Sequence, residues 1–394
     1  MTRPVRVCFW STSFQSDNQA LACYLADQPG WDVVVAMDRP EDYQREPVHR
    51  LMPFAGRFVD RQARSARREI EAFEADLVIV DNHVPSYRVA PRVFVLWHGF
   101  GWRYDDLARM RKDLRKHVGD VTGENESFRW QAFGEWDRRY RIEHSGFAPG
   151  NVVALGSAYS DLLLPGNELS AAFDRTAVQS RYSINLDDKT VLMALTWHHG
   201  GALSHWGDEE ELLGRFFEHV HGLGANVLVR MHDRHRYEEQ FVAKLESIVR
   251  RHPRVQLEFK SEHPDSLVDL LVSDVFVSNY SSLLNACYYT RKPTVHVDPH
   301  DASQADGVFL TMRRGQVRRT RTDAVAGHWK LPPGETGGLR ARSFEDLLEG
   351  VSRGLEQPSC CEDAARAFCD RYITDANGGT RERIASFVRR WLGG

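Results

Sequence analysis

The sequence lacks the features of a disulfide-rich, zinc-binding or membrane-spanning protein. Its cysteines have no paired CxxC spacing, which argues against a structural zinc site and a disulfide framework. No apolar run approaches the roughly 18–20 residues that a transmembrane helix needs. The apolar stretch at residues 5–10 is also too short for a secretory signal. We therefore expect a cytoplasmic protein that reaches a membrane only at the inner surface.

The sequence also lacks an excess of positive charge and the common nucleotide and metal motifs. Its 51 basic and 55 acidic residues give a net charge of −4, so nucleic acid is not an expected partner. Neither a P-loop nor a Rossmann glycine motif stands at a strand–helix junction. The histidines at 198–205 and 232–235 do not follow the HExxH spacing of a zinc site. The sequence therefore predicts no resident metal and no cofactor.

Short apolar runs alternate with amphipathic segments over most of the chain. With 394 residues, of which 42% are hydrophobic, the chain can bury two cores. Runs rich in Val and Ile, joined by helices, predict parallel sheets covered on both faces. The expected fold class is α/β, with two Rossmann-like domains. The first group of predicted strands is 5–10, 32–37, 76–81, 93–99 and 151–156, and the second is 190–197, 226–232, 255–259, 274–280 and 293–298.

Turn-forming and helix-capping residues along the chain predict where the domains begin and end. The Pro-Gly-Asn stretch at 164–170 is typical of a linker. Residues 300–342 are weakly periodic and predict long loops. Ser343 and Thr380 are expected to cap the two helices that follow them. The expected units are an N-terminal domain at 1–165, a C-terminal domain at 166–378, and a helix at 379–394 that crosses back to the N-terminal domain.

The stretch "FVLWHGFGWR" at 94–103 ends a predicted strand with a histidine and a glycine. In open parallel sheets, ligands bind outside the carboxyl ends of the strands, and His98 stands just past such an end. Gly99 gives the backbone the freedom to turn away. His98 is therefore a candidate catalytic residue, and a histidine packed in a loop is the structural alternative.

Other strand ends carry polar groups that suit an anionic ligand. The strand 190–197 ends before paired glycines that permit close approach of the backbone. The strand 226–232 ends in an arginine and a histidine, which suit an anionic leaving group. The strand 274–280 runs into serines that either hold an anion or merely cap a helix. The candidate residues at these ends are Thr196, Trp197, Arg230, His232, Asn279, Tyr280, Ser281 and Ser282.

A basic segment directly follows the His98 motif. Residues 103–116 and 313–321 are both rich in arginine. Such clusters hold a phosphate-rich polymer or the headgroups of an anionic membrane, and a solvated helix face or loop is the alternative. The candidate acceptor-binding residues are Arg103, Arg109, Arg111 and Lys112.

Taken in order, these motifs resemble those of the CDP-glycerol glycerophosphotransferase family, the teichoic-acid and capsule polyol-phosphate transferases. The matching segments are Trp-His-Gly at 97–99, Thr-Trp at 196–197, Val-Arg-Met-His at 229–232 and the block at 273–297, with weaker similarity at 16–25, 156–164 and 375–384. The resemblance spans nearly the whole chain. It implies a GT-B-like fold, with two domains that face each other across a cleft.

The resemblance also implies a reaction. A CDP-linked polyol donor would lie on the C-terminal domain, with its pyrophosphate held at Ser281 and Ser282. His232, aided by Arg230, would stabilise the leaving nucleotide. His98 would act as general base on a hydroxyl of a glycopolymer or of its lipid-linked precursor.

Departures from the family pattern keep other functions open. Phe-Gly-Trp-Arg at 100–103 replaces Thr-Pro-x-Lys, Ala158-Tyr159 replaces Pro-Arg, Asp233 replaces Pro, and Asn279 replaces Asp. One alternative is a GT-B glycosyltransferase that uses a nucleotide-sugar, including a CMP-linked sugar, because the fold alone does not choose between donors. Another is a catalytically silent member that binds a polymer.

Overall fold

The apolar runs that the sequence predicts as strands all form strands. The structure is a computed structural model of the chain, and it describes residues 3–81, 83–97, 100, 107–196, 202–279, 281, 283–298, 307–313, 316–322, 331 and 334–393, with only the backbone described for 307–313 and 316–322. Each central strand is buried along nearly its whole length. This is the pattern of a parallel strand that is covered on both faces.

The strands of the first unit form a seven-stranded sheet in the order β3-β2-β1-β4-β5-β6-β7. All of its pairs are parallel. The strands are β1 (Val5–Trp10), β2 (Trp31–Met37), β3 (Arg57–Asp60), β4 (Leu77–Val80), β5 (Arg92–Leu96), β6 (Phe128–Ala132) and β7 (Val152–Ala154).

The second unit contains a six-stranded parallel sheet in the order β10-β9-β8-β11-β12-β15 and a separate antiparallel hairpin of β13 and β14. The strands are β8 (Thr190–Ala194), β9 (Asn226–Met231), β10 (Val255–Phe259), β11 (Val275–Ser278), β12 (Thr294–Val297), β13 (Gly307–Arg313), β14 (Gln316–Thr322) and β15 (Leu339–Ala341).

Helices connect most of these strands, as a right-handed parallel arrangement requires. They are α1 (Ser16–Asp27), α2 (Pro40–Arg45), α3 (Pro47–Leu51), α4 (Ala66–Phe73), α5 (Ala108–Val118), α6 (Glu135–Ser145), α7 (Ser160–Leu163), α8 (Glu168–Ala172), α9 (Glu209–Gly222), α10 (Glu239–Arg250), α11 (Leu267–Val272), α12 (Leu283–Tyr289), α13 (Phe344–Glu356), α14 (Glu362–Tyr372) and α15 (Thr380–Trp391).

Two compact units divide the chain. The first comprises the described residues up to Ala171 and those from Cys369 onward, and the second runs from Ala172 to Phe368. The chain passes from the second unit back to the first within α14. Each unit has its own hydrophobic core, built from its strands and the helices on its sheet.

The prediction of long loops at 300–342 is wrong, because β13 and β14 form a hairpin there. Their sequences, "GVFLTMR" and "QVRRTRT", are rich in β-branched residues and are separated in the sequence by Arg314 and Gly315. A short glycine-containing link between two such runs is a hairpin signal. The second run contains several arginines, so a search for apolar runs does not identify it as a strand.

The predicted helix caps have different outcomes. Ser343 caps α13 as expected, because its hydroxyl accepts a hydrogen bond from the N–H of Asp346, whose carboxylate in turn accepts from Ser343 N. Thr380 is not the cap of α15. Gly379 occupies that position in a left-handed conformation, with φ of 74°, and the open N–H groups of the first turn are satisfied from a distant part of the chain.

That distant partner is Asp161, which lies in α7. Its carboxylate accepts hydrogen bonds from the N–H groups of Thr380 at 3.1 Å and Arg381 at 2.9 Å. Nearby, Asp17 in α1 accepts from the hydroxyl of Ser157 at 2.8 Å, and burial raises the pKa of Asp17 to about 6. The three weakly similar segments at 16–25, 156–164 and 375–384 therefore meet in one place, where they fasten the returning C-terminal helix to the first unit.

Asp161→Ala should release the start of α15, because it leaves the N–H groups of Thr380 and Arg381 without an acceptor. Loss of a helix cap costs about 1–2 kcal/mol. We expect faster amide hydrogen exchange in residues 380–384 and a lower free energy of unfolding for the first unit. Asp208→Ala is the matched control, since Asp208 caps α9 in the second unit by accepting from two N–H groups at 3.0 Å. Unchanged exchange in α15 would contradict the assignment.

Candidate active site

Each sheet has one place where its strand order reverses. In the first sheet this switch point lies between β1 and β4, and in the second between β8 and β11. Helices leave adjacent strands on opposite faces there, which opens a crevice beyond the carboxyl ends of the strands. Residues that follow a strand next to the switch point therefore lie at this crevice, and residues that follow more distant strands lie further from it.

Asn279 and Thr196 bridge the switch point of the second sheet. Asn279 follows β11 and is 3% exposed. Its side-chain oxygen accepts a hydrogen bond from Thr196 N at 2.8 Å, and its side-chain nitrogen donates to Thr196 O at 3.3 Å. The hydroxyl of Ser278 also donates to Ala194 O at 2.8 Å. The amide group of Asn279 thus extends the pairing of β8 and β11 beyond their last residues and fixes both strand ends.

His232 lies at the same edge, directly after β9, which is the neighbour of β8. Its backbone N–H donates to the hydroxyl of Tyr237 at 3.0 Å. Its Nδ1 lies 2.8 Å from the carboxylate of Asp233, and that carboxylate also pairs with Arg236 at 3.3 Å. Nδ1 also accepts a hydrogen bond from Asp233 N at 2.8 Å, so the neutral ring carries its proton on Nε2. The ring is therefore held in one orientation, with Nε2 as its remaining nitrogen.

The charges around His232 act in opposite directions. Burial lowers the pKa of His232 to about 4, although the hydrogen bond with Asp233 raises it, and the positive charges of Arg236 and Lys260 lower it further. For Asp233, burial raises the pKa, but His232, Lys260 and Arg236 together hold the pKa well below its usual range. The site around the imidazole is therefore a positive region that contains one carboxylate, which suits an anionic ligand.

Arg230 is part of a buried ion-pair network, 7% exposed, and does not lie open at the strand end. It faces Glu258 across the β9–β10 pair, donates to the carboxylate of Asp269, and donates to His263 O at 2.8 Å. Arg181 bonds the same two carboxylates at 2.6 and 2.9 Å. A donor-binding role for Arg230 stays a prediction. The contacts show that it ties β9 to β10 and α11 just before His232.

Ser281 precedes α12. Its hydroxyl accepts from Leu283 N at 3.3 Å and its carbonyl accepts from Leu284 N at 3.0 Å, so it forms the first turn of the helix. The other predicted residues His98, Arg103, Trp197, Tyr280 and Ser282 lie outside the described residues.

The predicted acceptor-binding residues lie on α5. Arg109 and Lys112 are exposed. Arg111 is half-buried, and its guanidinium donates to the carbonyl of Ser145, the last residue of α6. Arg111 therefore joins two helices, whereas Arg109 and Lys112 have exposed charges. Acceptor binding by these residues stays a prediction.

Sequence reasoning missed several polar residues at these edges. Asp81 and His83 follow β4 and Ser11 follows β1, so they stand at the switch point of the first sheet. The predicted strand 76–81 ends in this same aspartate, and the strand-end rule that selected His98 also applies to it. In the sequence, Asp233 is only a departure from the family pattern, and its contact with His232 adds it to the candidate site.

The described residues contain no group of three His, Cys, Asp or Glu side chains placed to hold a metal ion. Within the same part of the chain, no helix is long and apolar enough to cross a membrane.

Comparisons with known structures support the fold. The wall teichoic acid polymerase TagF aligns over 100% of this chain and 90% of its own, with a TM-score of 0.64 and 12% identity. UDP-GlcNAc 2-epimerase from Neisseria meningitidis, bound to UDP-GlcNAc, aligns over 98% of this chain and 100% of its own, with a TM-score of 0.56 and 12% identity. A putative UDP-N-acetylglucosamine 2-epimerase from Listeria monocytogenes aligns over 100% and 97%, with a TM-score of 0.57 and 13% identity.

The predicted fold class, two parallel-sheet α/β units of GT-B type, is confirmed. The similarity to a teichoic acid polymerase agrees, at the level of the fold, with the resemblance drawn from the motifs. No family model and no curated protein sequence matches the chain.

The lowered pKa of His232 predicts an acid-sensitive stability. Between pH 6.5 and about 4, the unfolded chain binds a proton at this residue that the folded protein does not, so folding loses free energy as the pH falls through that range. In His232→Gln the free energy of unfolding should decline less steeply from pH 6.5 to 4. Urea unfolding at several pH values measures this. An unchanged pH slope in the variant would contradict the expected protonation.

Proposed function

We propose that this protein is a transferase that moves a polyol-phosphate unit from a CDP-linked donor to a hydroxyl of a cell-surface glycopolymer or its lipid-linked precursor. The observation that carries the proposal is the placement of His232. It is held by Asp233 at the edge where the Asn279–Thr196 bridge marks the switch point of the second sheet. The order of the sequence motifs and the fold similarity to TagF support it.

The donor is proposed to bind at this edge. A diphosphate next to His232 would meet the positive charges of Arg236 and Lys260. The hydroxyl of Ser281, at the turn into α12, lies after the strand that neighbours β8. Trp197, Tyr280 and Ser282 belong to the same proposed donor site through the motifs they share with the family. A variant of TagF has been studied with CDPG soaked into it, and a CDP-alcohol is the donor proposed for the present chain.

In the proposed reaction, His98 takes the proton from the acceptor hydroxyl. The oxygen attacks the phosphorus that carries the polyol, a new P–O bond forms, and the P–O bond to the nucleotide breaks. CMP leaves with the electron pair of that bond. His232 stabilises the charge on CMP by donating a hydrogen bond from Nε2, while Nδ1 is held by the backbone N–H and the carboxylate of Asp233.

The binding of an anion also explains how His232 can carry a proton at neutral pH. In the free protein, burial and two nearby cations favour the neutral ring. A bound diphosphate neutralises those cations and adds negative charge next to Nε2, which raises the pKa. Asp233 then stabilises the imidazolium from its other side. In this chain, Asp233 stands where the family commonly has proline, and its carboxylate adds this stabilisation.

The acceptor side is proposed from α5. Arg109 and Lys112 are exposed on this helix and are proposed, with Arg103 and Arg111, to bind the phosphates of a polymer or the headgroups at the inner face of the cytoplasmic membrane.

A nucleotide-sugar glycosyltransferase is the second candidate. The fold similarity to an epimerase bound to UDP-GlcNAc favours it, because a similar fold binds a UDP-linked sugar in that protein. A catalytically silent polymer binder is a third outcome that the following experiment separates.

Nucleotide binding tests the donor. A ligand at about 100 times its Kd should stabilise the folded state by about 2.7 kcal/mol, so we expect CMP, CDP, CDP-glycerol or CDP-ribitol to raise the unfolding midpoint. UDP, GDP and UDP-sugars should not. Stabilisation by uridine or guanosine compounds alone favours the glycosyltransferase, and no response to any nucleotide favours the silent binder.

A pair of asparagine variants localises the binding. Asn279→Ala and Asn226→Ala each remove a buried amide that bonds to the main chain, at a cost of about 1–3 kcal/mol. Asn226 begins β9, at the opposite edge of the sheet. Only Asn279→Ala should lose the stabilisation by cytidine nucleotides. Equal loss in both variants would show a general effect of destabilisation.

Substitution of the two histidines tests the reaction. His98→Ala should lower kcat by about 10²–10⁴-fold, the usual contribution of a general base. His232→Gln should lower kcat by about 10²–10³-fold, the usual contribution of one preorganised donor to a developing charge. Steady-state kinetics with the nucleotide that binds in the panel measures both. Turnover of His98→Ala within about threefold of the wild type would contradict its role as base.

A further inference from the structure

The switch point of the first sheet carries a second polar group that the proposed reaction does not yet use. Trp10 of β1 pairs with Val80 of β4, so Ser11 and Asp81 follow directly on paired residues. The hydroxyl of Ser11 donates to Asp81 Oδ2 at 2.6 Å. As in the second sheet, a side chain joins the two strand ends where the crevice opens.

His83 completes this group. Its backbone N–H donates to Asp81 Oδ1 at 2.9 Å, and its Nδ1 lies 3.1 Å from the same oxygen. The carboxylate side chain of Asp81 is 16% exposed and that of His83 is 43% exposed. An ionised Asp81 favours a proton on Nδ1, which leaves Nε2 with a lone pair. Among the described residues, none hydrogen-bonds Nε2.

The elements around this group hold it in place. Arg61 donates to Ser11 O at 2.6 Å, and its guanidinium lies 4.5 Å from the ring centre of Trp10. Arg61 also lies 3.5 Å from Asp38, which follows β2. Arg61 thereby holds the backbone of Ser11, whose hydroxyl bonds to Asp81. The residues that position His83 are mostly buried, while the imidazole itself is accessible.

The chemistry of the exposed nitrogen selects its ligand. A neutral imidazole with its proton on Nδ1 can accept a hydrogen bond at Nε2 but cannot donate one there. It therefore fits the O–H of an alcohol better than the oxygen of a phosphate. This preference is opposite to that of the second sheet, where cations surround His232.

We propose that His83, positioned by Asp81 and Ser11, binds a hydroxyl of the acceptor, namely of a polyol or sugar terminus. The inference rests on the proposed function, in which a hydroxyl-bearing acceptor lies on the first unit. His83 contacts the acceptor, and Asp81 and Ser11 act through it. Proton transfer in the reaction stays with His98.

Kinetic variants test this role. His83→Phe keeps a ring but removes the lone pair, and should raise the acceptor KM about tenfold, the value of one hydrogen bond. The kcat and the donor KM should stay close to those of the wild type. His83→Gln, which retains an acceptor oxygen, should recover part of the affinity. His144→Phe is the control, because His144 is also exposed beside a carboxylate but lies at the end of α6, away from the strand ends.

A binding measurement tests the same role without turnover. The probe is a synthetic glycerol phosphate trimer, compared with the same trimer carrying methylated hydroxyls. The imidazole signals of His83, assigned by their loss in His83→Phe, should shift with the free trimer and not with the methylated one. Equal shifts with both, or none with either, overturn the inference.

The two proposals can fail separately. If cytidine nucleotides bind and His98→Ala is inactive while His83→Phe keeps the wild-type acceptor KM, only the inference about His83 is wrong. If no nucleotide binds but the free trimer still shifts the His83 signals, the hydroxyl site stands and the transfer reaction falls.

Discussion

The rest of the site depends on how the main-chain N–H and C=O groups just beyond the central strands find hydrogen-bond partners. At a switch point, the strands diverge into helices on opposite faces, so the peptide groups after the last ladder bond lose their partners. In the second sheet, the side-chain amide of Asn279 supplies the missing partners, because it accepts from Thr196 N and donates to Thr196 O. In the first sheet, Ala36 O accepts from Ser11 N and Arg61 donates to Ser11 O, while the Ser11 hydroxyl bonds to Asp81. Both crevices are therefore rimmed by polar groups that are already bonded and fixed, which lowers the entropy cost of binding a ligand.

The positions of ten strands could be predicted, because a strand in a sheet that is buried on both faces is a short apolar run. The strands β3, β6 and β15 could not, since charged or polar residues interrupt their short sequences. The hairpin at β13 and β14 could not, since arginines occupy many positions of its second strand. For the site, the strand-end rule identified His232, Thr196 and Asn279 at one edge. It could not show that Arg230 is neutralised by Glu258 and Asp269, because those partners lie on β10 and α11, far along the chain.

Some residues in the motifs that resemble those of the family have a structural role. Lys292 lies after α12, and its ammonium donates to the carbonyl oxygens of Leu270, Leu271 and Ser273 at the end of α11. Burial lowers the pKa of Lys292 to about 8. A cation at a helix C-terminus satisfies carbonyls that have no partner within the helix. The block at 273–297 thus contains both the candidate residue Asn279 and the contact that holds the end of α11.

The buried network around Arg230 has a consequence for the chemistry at His232. Arg230 and Arg181 face Glu258 and Asp269, so two cations meet two anions inside the second unit. A balanced cluster exerts little net field on its surroundings, and the potential at His232 is set by Arg236, Lys260 and Asp233 instead. Each of these three residues lies in or beside a loop at a strand end. A ligand that binds there changes the charge around His232, while the buried network keeps β9 fixed. Arg230 can therefore be fully paired inside the second unit, while Arg236 and Lys260 still leave positive charge next to His232.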